Sequence, residues 1–390
     1  DAFQLSLRYT AISLEWITYT YLFSYIYGGI CENTLSDTEQ RSATDAGILI
    51  NIRMKTNILY YLSFIMIITF SSCIREDRFD DNPEGNFEAL WKIIDEQYCF
   101  LDYKKQEYGL DWDDIYVRYK QRITLSMPSN GLFEVLGEML AELKDGHVNL
   151  YSSSDIARYW KWYEDYPANF NDSIHKLYLG TDYKIASGLK YKILDDNIGY
   201  IYYESFSSAI GNGNIDQVLN DMAICDGIII DVRNNGGGTI TNASKLASRF
   251  TNKKVLTGYI LHKNGKGHND FSKPEPIYLE PSNRIRWQKK VAILTNRHSY
   301  SATNDFVNTM RILPNVTIIG DRTGGGSGLP ISSELPNGWS VRFSSSPHLD
   351  AKMKHIEFGI DPDLEVNMQR EDILRNRDTI IETARTFLKK

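Results

Sequence analysis

The chain has 390 residues, 24% of them charged and 42% hydrophobic, with 27 Gly and 11 Pro, a composition that excludes a collagen, a disordered chain or a disulfide-dense mini-protein. Its 43 Lys and Arg stand against 50 Asp and Glu, a net charge of −7, so no overall basic surface exists to hold a nucleic-acid backbone and nucleic acid is not an expected partner. The cysteines, Cys31, Cys73, Cys99 and Cys225, form no C-x-x-C pair and no regular spacing; neither a zinc site nor a disulfide framework is indicated, and no metal or organic cofactor is expected.

In chain order the first signal is one of export. The first methionine is Met54, followed by Lys55-Thr56-Asn57, a nearly unbroken apolar run from Ile58 to Phe70, and Ser71-Ser72-Cys73. This is a short basic head, an apolar stretch of signal-peptide length and a small-residue cleavage site, too short to read as a membrane span. The small-small-Cys ending resembles the lipobox of bacterial lipoproteins, which implies lipidation of the cysteine after cleavage. The expectation is therefore a non-native upstream extension over 1–53, a lipoprotein signal peptide over 54–73, a lipid anchor to the membrane at Cys73, and a charged tether over 74–86. That tether is similar to those of surface lipoproteins of Bacteroidetes, and it places the chain in the cell envelope, facing the periplasm or the cell surface.

Phe87, Leu90, Trp91, Ile94 and Tyr98 recur at helical spacing, as do Trp112, Ile115, Tyr116, Tyr119 and Ile123 behind the start signals Asp111 and Asp113; Leu132 to Leu143 gives a third helix. These predict a small helical domain over 87–147, ending in Lys144-Asp145-Gly146-His147. Residues 148–197 form an aromatic-rich connecting subdomain without clear periodicity. From 198 to 390 buried β-branched runs alternate with loops and helices: strands at 198–206, 227–232, 291–295, 316–320 and near 339–344, and helices at 214–223, 243–250, 301–313 and 371–388. Alternation of this kind predicts an α/β core with largely parallel strands.

Two loops at the carboxyl ends of buried strands attract attention, because open α/β sheets build their sites there. After Gly227–Val232 comes Asn234-Asn235-Gly236-Gly237-Gly238, whose glycines can turn backbone N–H groups into a cavity, as an oxyanion hole requires; a tight strand-to-helix turn would look the same. The Lys-[Ser/Thr] ending of a phosphate loop is absent. After Val291–Thr295 comes Asn296-Arg297-His298-Ser299-Tyr300 and a helix opening at Ser301. A serine there lies at the positive end of the helix dipole, which favours a nucleophile, although such a serine also serves as an ordinary cap.

Taken together, Gly227-Ile-Ile-Ile-Asp231-Val-Arg233-Asn-Asn-Gly-Gly-Gly238, Leu294-Thr-Asn296 into Ser299-Tyr-Ser301-Ala-Thr-Asn304, and Gly320-Asp-Arg-Thr323-Gly-Gly resemble the carboxyl-terminal processing and tricorn-core serine peptidase family. The resemblance implies a crotonase-like core of strand-strand-helix repeats, with Ser301 as nucleophile and an oxyanion hole from Gly237, Gly238 and the Ala302 amide. In the processing branch a lysine follows the serine by about 25 residues; this chain has Gly324-Gly325-Gly326-Ser327 there. The tricorn-like branch uses an upstream histidine and a downstream glutamate. Asp145-Gly146-His147 resembles its Asp-Gly-His segment, and His355-Ile356-Glu357-Phe358-Gly359 resembles its glutamate block before Gly-x-x-Pro-Asp. The resemblance thus implies His147 as general base and Glu357 as the acid that orients it, with Gly146 where tricorn has a relay serine.

His298 and His355 stand as rival bases; His175, His262, His268 and His348 fall in polar segments and read as surface residues. The stretch between His147 and Ile198 is too short for the PDZ module that many family members carry, so a substrate carboxyl terminus is recognised otherwise or not at all; the aromatic cluster 159–170 reads first as simple packing, with Arg158 or Lys161 able to pair a carboxylate. The expected activity is a serine endopeptidase acting on extended peptides or unfolded proteins by Ser-His-Glu acyl transfer. The competing expectation is a catalytically silent member that binds peptide or glycan in the envelope.

Overall fold

The computed structural model describes residues 78–390. The expected extension over 1–53, the signal peptide with Cys73 and the first part of the tether lie outside the described residues. Among the described residues no helix is long and apolar enough to cross a membrane.

Asn82 accepts the Gly85 N–H at 2.8 Å and Pro83 occupies the first helical position, residue types that start a helix. Helix α1 (Pro83–Gln97) is followed by α2 (Leu101–Tyr108), α3 (Trp112–Lys120) and α4 (Ser129–Ala141). The sequence reading missed α2 because it carries no apolar stripe; its buried residues are Leu101 and, against expectation, Lys104. The aromatic segment folds into strands β1 (Asn149–Tyr151) and β2 (Ile156–Arg158) and short helices α5 (Lys161–Glu164) and α6 (Asp172–Leu179).

Next come β3 (Lys184–Ala186), β4 (Leu189–Ile193), β5 (Ile198–Tyr203), α7 (Asn212–Asp221), β6 (Gly227–Asp231), α8 (Ile240–Ala247), β7 (Val255–Ile260), β8 (Glu275–Leu279), β9 (Lys290–Thr295) and α9 (Ala302–Met310). The chain ends in β10 (Val316–Gly320), β11 (Gly328–Glu334), β12 (Ser340–Asp350), β13 (Leu364–Glu365), α10 (Arg370–Ile373) and α11 (Thr379–Leu388).

One sheet has the order β13-β10-β9-β6-β5-β4-β3, parallel from β13 to β5 and antiparallel beyond. Its central strands are apolar on both faces, as parallel strands covered by helices must be. Ile228, Ile230 and Ile293 point into the layer of α7, α8 and α9, while Ile229, Leu294 and Ile319 meet α11. The α/β core preceded by helices is as expected, but the strands are not largely parallel throughout. A second sheet, β2-β1-β12-β7-β8 with β11 on β12, is antiparallel. It shares one apolar core with the helices α1–α4, where Leu90, Ile94, Leu136 and Met139 meet Leu150, Val341 and Phe343.

The expected single helix over 371–388 is broken in two. Asp378 accepts the N–H groups of Ile380 and Ile381 at 3.0 Å, capping α11, and also receives buried Arg233 Nη1 at 2.9 Å. Arg233 is held from the other side by Asp231 at 2.7 Å, so the end of β6 is tied to the start of α11. Two expected surface histidines are also corrected. His175 is buried against the Tyr202 ring at 4.2 Å, and His348 lies in β12 with Nδ1 3.2 Å from Asp305 Oδ1. Both sit on elements with one buried face, which polar neighbours in sequence conceal.

Candidate active site

Ser301 immediately precedes α9, at the carboxyl end of β9, and has φ +59° and ψ −124°, a region that side chains other than glycine occupy only under strain. The strain is over-determined by its surroundings. The Ser301 N–H donates to Gly325 O at 2.8 Å, the Tyr300 N–H to Asn235 O at 3.1 Å, and Ser299 Oγ to Val232 O at 2.8 Å. Ser301 makes no side-chain cap to its own helix; its Oγ lies 2.9 Å from His147 Nε2 instead.

His147 is carried on the loop after α4, where Asp145 Oδ1 accepts the His147 N–H at 2.7 Å, an Asx turn that fixes the backbone locally. The same carboxylate receives Tyr98 OH at 2.8 Å and Tyr300 OH at 3.3 Å. Arg158 Nε donates to Gly146 O at 3.0 Å, so the arginine expected to meet a substrate carboxylate pins this loop. Burial lowers the His147 pKa to about 4, against the opposing pull of Asp145, which leaves the imidazole neutral and able to accept a proton at neutral pH. Its Nδ1 is buried without a hydrogen-bond partner.

Glu357 is not hydrogen-bonded to His147, which corrects the expectation of direct orientation. Its Oε2 accepts the Ser327 N–H at 2.9 Å, and its Oε1 lies 3.3 Å from Lys104 Nζ; these two donors claim the carboxylate. Burial and the neighbouring Asp145 push the Glu357 pKa up to about 8, with Lys104 opposing.

The glycine loop backs onto the nucleophile: a Cβ on Gly237 would lie 2.8 Å from Ser301 Cβ and 3.0 Å from Ala302 N. The Gly237 N–H is taken, donating to Asn235 Oδ1 at 3.0 Å, so its expected part in the oxyanion hole is corrected; Ala302 follows Ser301 directly, and Gly238 packs against Phe206 and Ser207. The rival bases sit elsewhere. His298 packs on Tyr163 at 4.0 Å and His355 stacks on Tyr103 at 4.1 Å. Among the described residues no cluster of His, Cys, Asp and Glu could hold a metal ion.

Several supporting residues were not found from the sequence. Trp162 stacks on Tyr300 at 4.1 Å, fills the space beside Gly146 and Gly324, and closes one side of a cavity of about 390 Å³ that Glu357 and Arg322 also line. The Asp-x-His spacing could have pointed to Asp145 as the turn that sets His147; Lys104 leaves no signal in a charged helix.

The model of peptidase family S41 matches residues 197–366, and that of the Tricorn protease C1 domain matches residues 79–141. A candidate peptidase from Parabacteroides merdae, known from a crystal structure, is 59% identical over 79% of this chain and 97% of its own, with a TM-score of 0.76. The chain belongs to peptidase family S41. Among curated relatives, a Tricorn-like protease C-terminal subunit of Sulfurisphaera tokodaii is 29% identical over 41% of this chain but only 17% of its own length. The chain therefore spans well under two thirds of the curated relatives it matches. The structure of mature CPAF, 13% identical over 79% of this chain and 96% of its own at a TM-score of 0.60, shares the fold.

Proposed function

We infer that this S41 member is a serine endopeptidase cleaving extended peptides or protein carboxyl termini outside the cytoplasm, held to a membrane through Cys73. The observation that carries the reading is the 2.9 Å approach of His147 Nε2 to the Oγ of a strained Ser301. In this reading Ser301 Oγ attacks the scissile carbonyl while its proton passes to Nε2, and the imidazolium returns that proton to the leaving amine. The amides of Gly238 and Ala302 hold the oxyanion. Glu357 makes no bond to the ring, and with its pKa raised to about 8 it adds negative charge behind the loop only as pH climbs toward that value. An apolar cavity of about 110 Å³ lined by Ile240, Ala243, Asp305, Phe306 and His348 lies one helical turn along α9 and would take a small apolar substrate side chain.

The unpartnered Nδ1 favours one second reading, a silent member that binds peptide without cutting it. Fluorophosphonate labelling of the purified protein separates the two. Labelling that disappears in Ser301→Ala and His147→Ala supports the peptidase; a folded wild type that does not label supports the binder.

A further inference from the structure

Behind His147 lies a buried group of charges that the acyl-transfer steps do not explain. Lys104 of α2 is fully buried, donates to the Leu143 carbonyl at 2.7 Å and reaches Glu357 Oε1 at 3.3 Å. Its ammonium also faces the Phe358 ring at 5.1 Å and the Tyr98 ring at 5.7 Å. Leu143 begins the loop whose Asp145 fixes the His147 backbone.

We propose that Lys104 is a positioning residue for His147: its ammonium ties the head of the histidine loop to Glu357 and supplies the positive charge that lets two carboxylates, Asp145 and Glu357, stand behind the imidazole. The proposal rests on the peptidase reading of Ser301 and His147.

The other titratable groups around the cluster do not supply that charge. Tyr98, Cys99 and Tyr300 are raised well above their ordinary values by burial, and Tyr103 and Tyr108 are raised by the same cause, so all stay neutral. Burial lowers His355 to about 4, which leaves it neutral as well. Arg322 lines the cavity beside Glu357 but pairs with Asp361 at 3.0 Å, and Lys144 faces the Tyr108 ring at 4.3 Å. Arg158, which donates to Gly146 O at 3.0 Å, and Arg342 act on His147 itself, and Lys104 is the cation that acts on both carboxylates. When the imidazole takes the serine proton, a negative charge behind it stabilises the imidazolium, and an ammonium that keeps Glu357 able to ionise sustains that charge.

The test compares fluorophosphonate labelling rates of wild type, Lys104→Met, Lys104→Arg and Lys104→Met/Glu357→Gln across pH 6 to 10. Wild-type labelling gains a rise near pH 8 as Glu357 ionises. Lys104→Met loses that rise and slows labelling about tenfold with probe affinity unchanged, while Lys104→Arg keeps the rise. The double variant is no slower than Lys104→Met, because Glu357 is already neutral once the ammonium is gone. A Lys104→Met protein that keeps both the rate, within threefold, and the alkaline rise overturns the proposal. So does a Lys104→Met protein that merely melts at lower temperature with an unchanged pH profile of its folded fraction. Wild type that never labels overturns the peptidase reading itself, a different outcome.

Discussion

The indole of Trp162 stacks on the ring of Tyr300 at 4.1 Å, with Nε1 buried against the α-carbon side of Gly146. A Cβ at Gly146 would lie 2.6 Å from that Nε1 and 2.9 Å from Tyr300 OH. Gly146→Ser alone is therefore expected to lower stability by about 1–3 kcal/mol through overpacking and to slow labelling. Adding Trp162→Ala should relieve the clash, so the double variant melts above the sum expected from the single ones. Thermal melts and labelling rates of the four proteins check this coupling.

Ser301 holds a backbone that glycine adopts freely, at φ +59° and ψ −124°. Ser301→Gly should abolish labelling and raise stability by about 1 kcal/mol through release of strain, visible as a higher midpoint in urea. Ser301→Ala should abolish labelling without that gain.

The pH response has a definite sign. His147 is lowered to about 4, so labelling should rise through pH 4 and then level off, with a second rise near 8 from Glu357 that Glu357→Gln removes. For stability, Glu357 is raised from 4.5 to about 8 in the folded chain, so its contribution is full below 4.5 and is lost as pH climbs to 8. His147 works the other way between 6.5 and 4, losing stability as pH falls. Above pH 6.5 only the Glu357 decline remains of the two, and the melting temperature should fall toward pH 8 in wild type but stay flatter in Glu357→Gln.

Arg233 lies between Asp231 and Asp378 with no solvent exposure. Removing one partner of a buried ion group leaves an uncompensated charge, so Asp378→Ala should cost about 3–5 kcal/mol, including its capping role at α11. Chemical denaturation measures the loss.

Acylation at Cys73 would follow from the lipoprotein signal. Cells fed a palmitate analogue should incorporate it into wild type and not into Cys73→Ala, which should also leave the membrane fraction.

What the sequence revealed and what it concealed divide along physical lines. Ser301 was legible as a serine at a strand end opening a helix once the neighbouring blocks resembled the family, and His147 through the resemblance of Asp145-Gly146-His147 to the family's Asp-Gly-His segment. The bond Glu357 makes was not legible, since a carboxylate turns to its best donors, and one of them, Lys104, lies 253 residues away in sequence. Strands β5, β6, β9 and β10 announced themselves as unbroken apolar runs, whereas β11, which carries exposed Ile331, Ser332 and Glu334, blurred into a loop. Helix α2 hid because its buried lysine reads as surface.

The loop Gly324-Gly325-Gly326 has one more consequence. A side chain on Gly326 would place its Cβ 2.3 Å from the Tyr300 ring, and one on Gly325 would lie 1.8 Å from Glu357 O. The wall that steadies Ser301 therefore leaves no room for a lysine there. A lysine base in this loop and a histidine base on the loop after α4 are alternative solutions here, and no single substitution leads from one to the other.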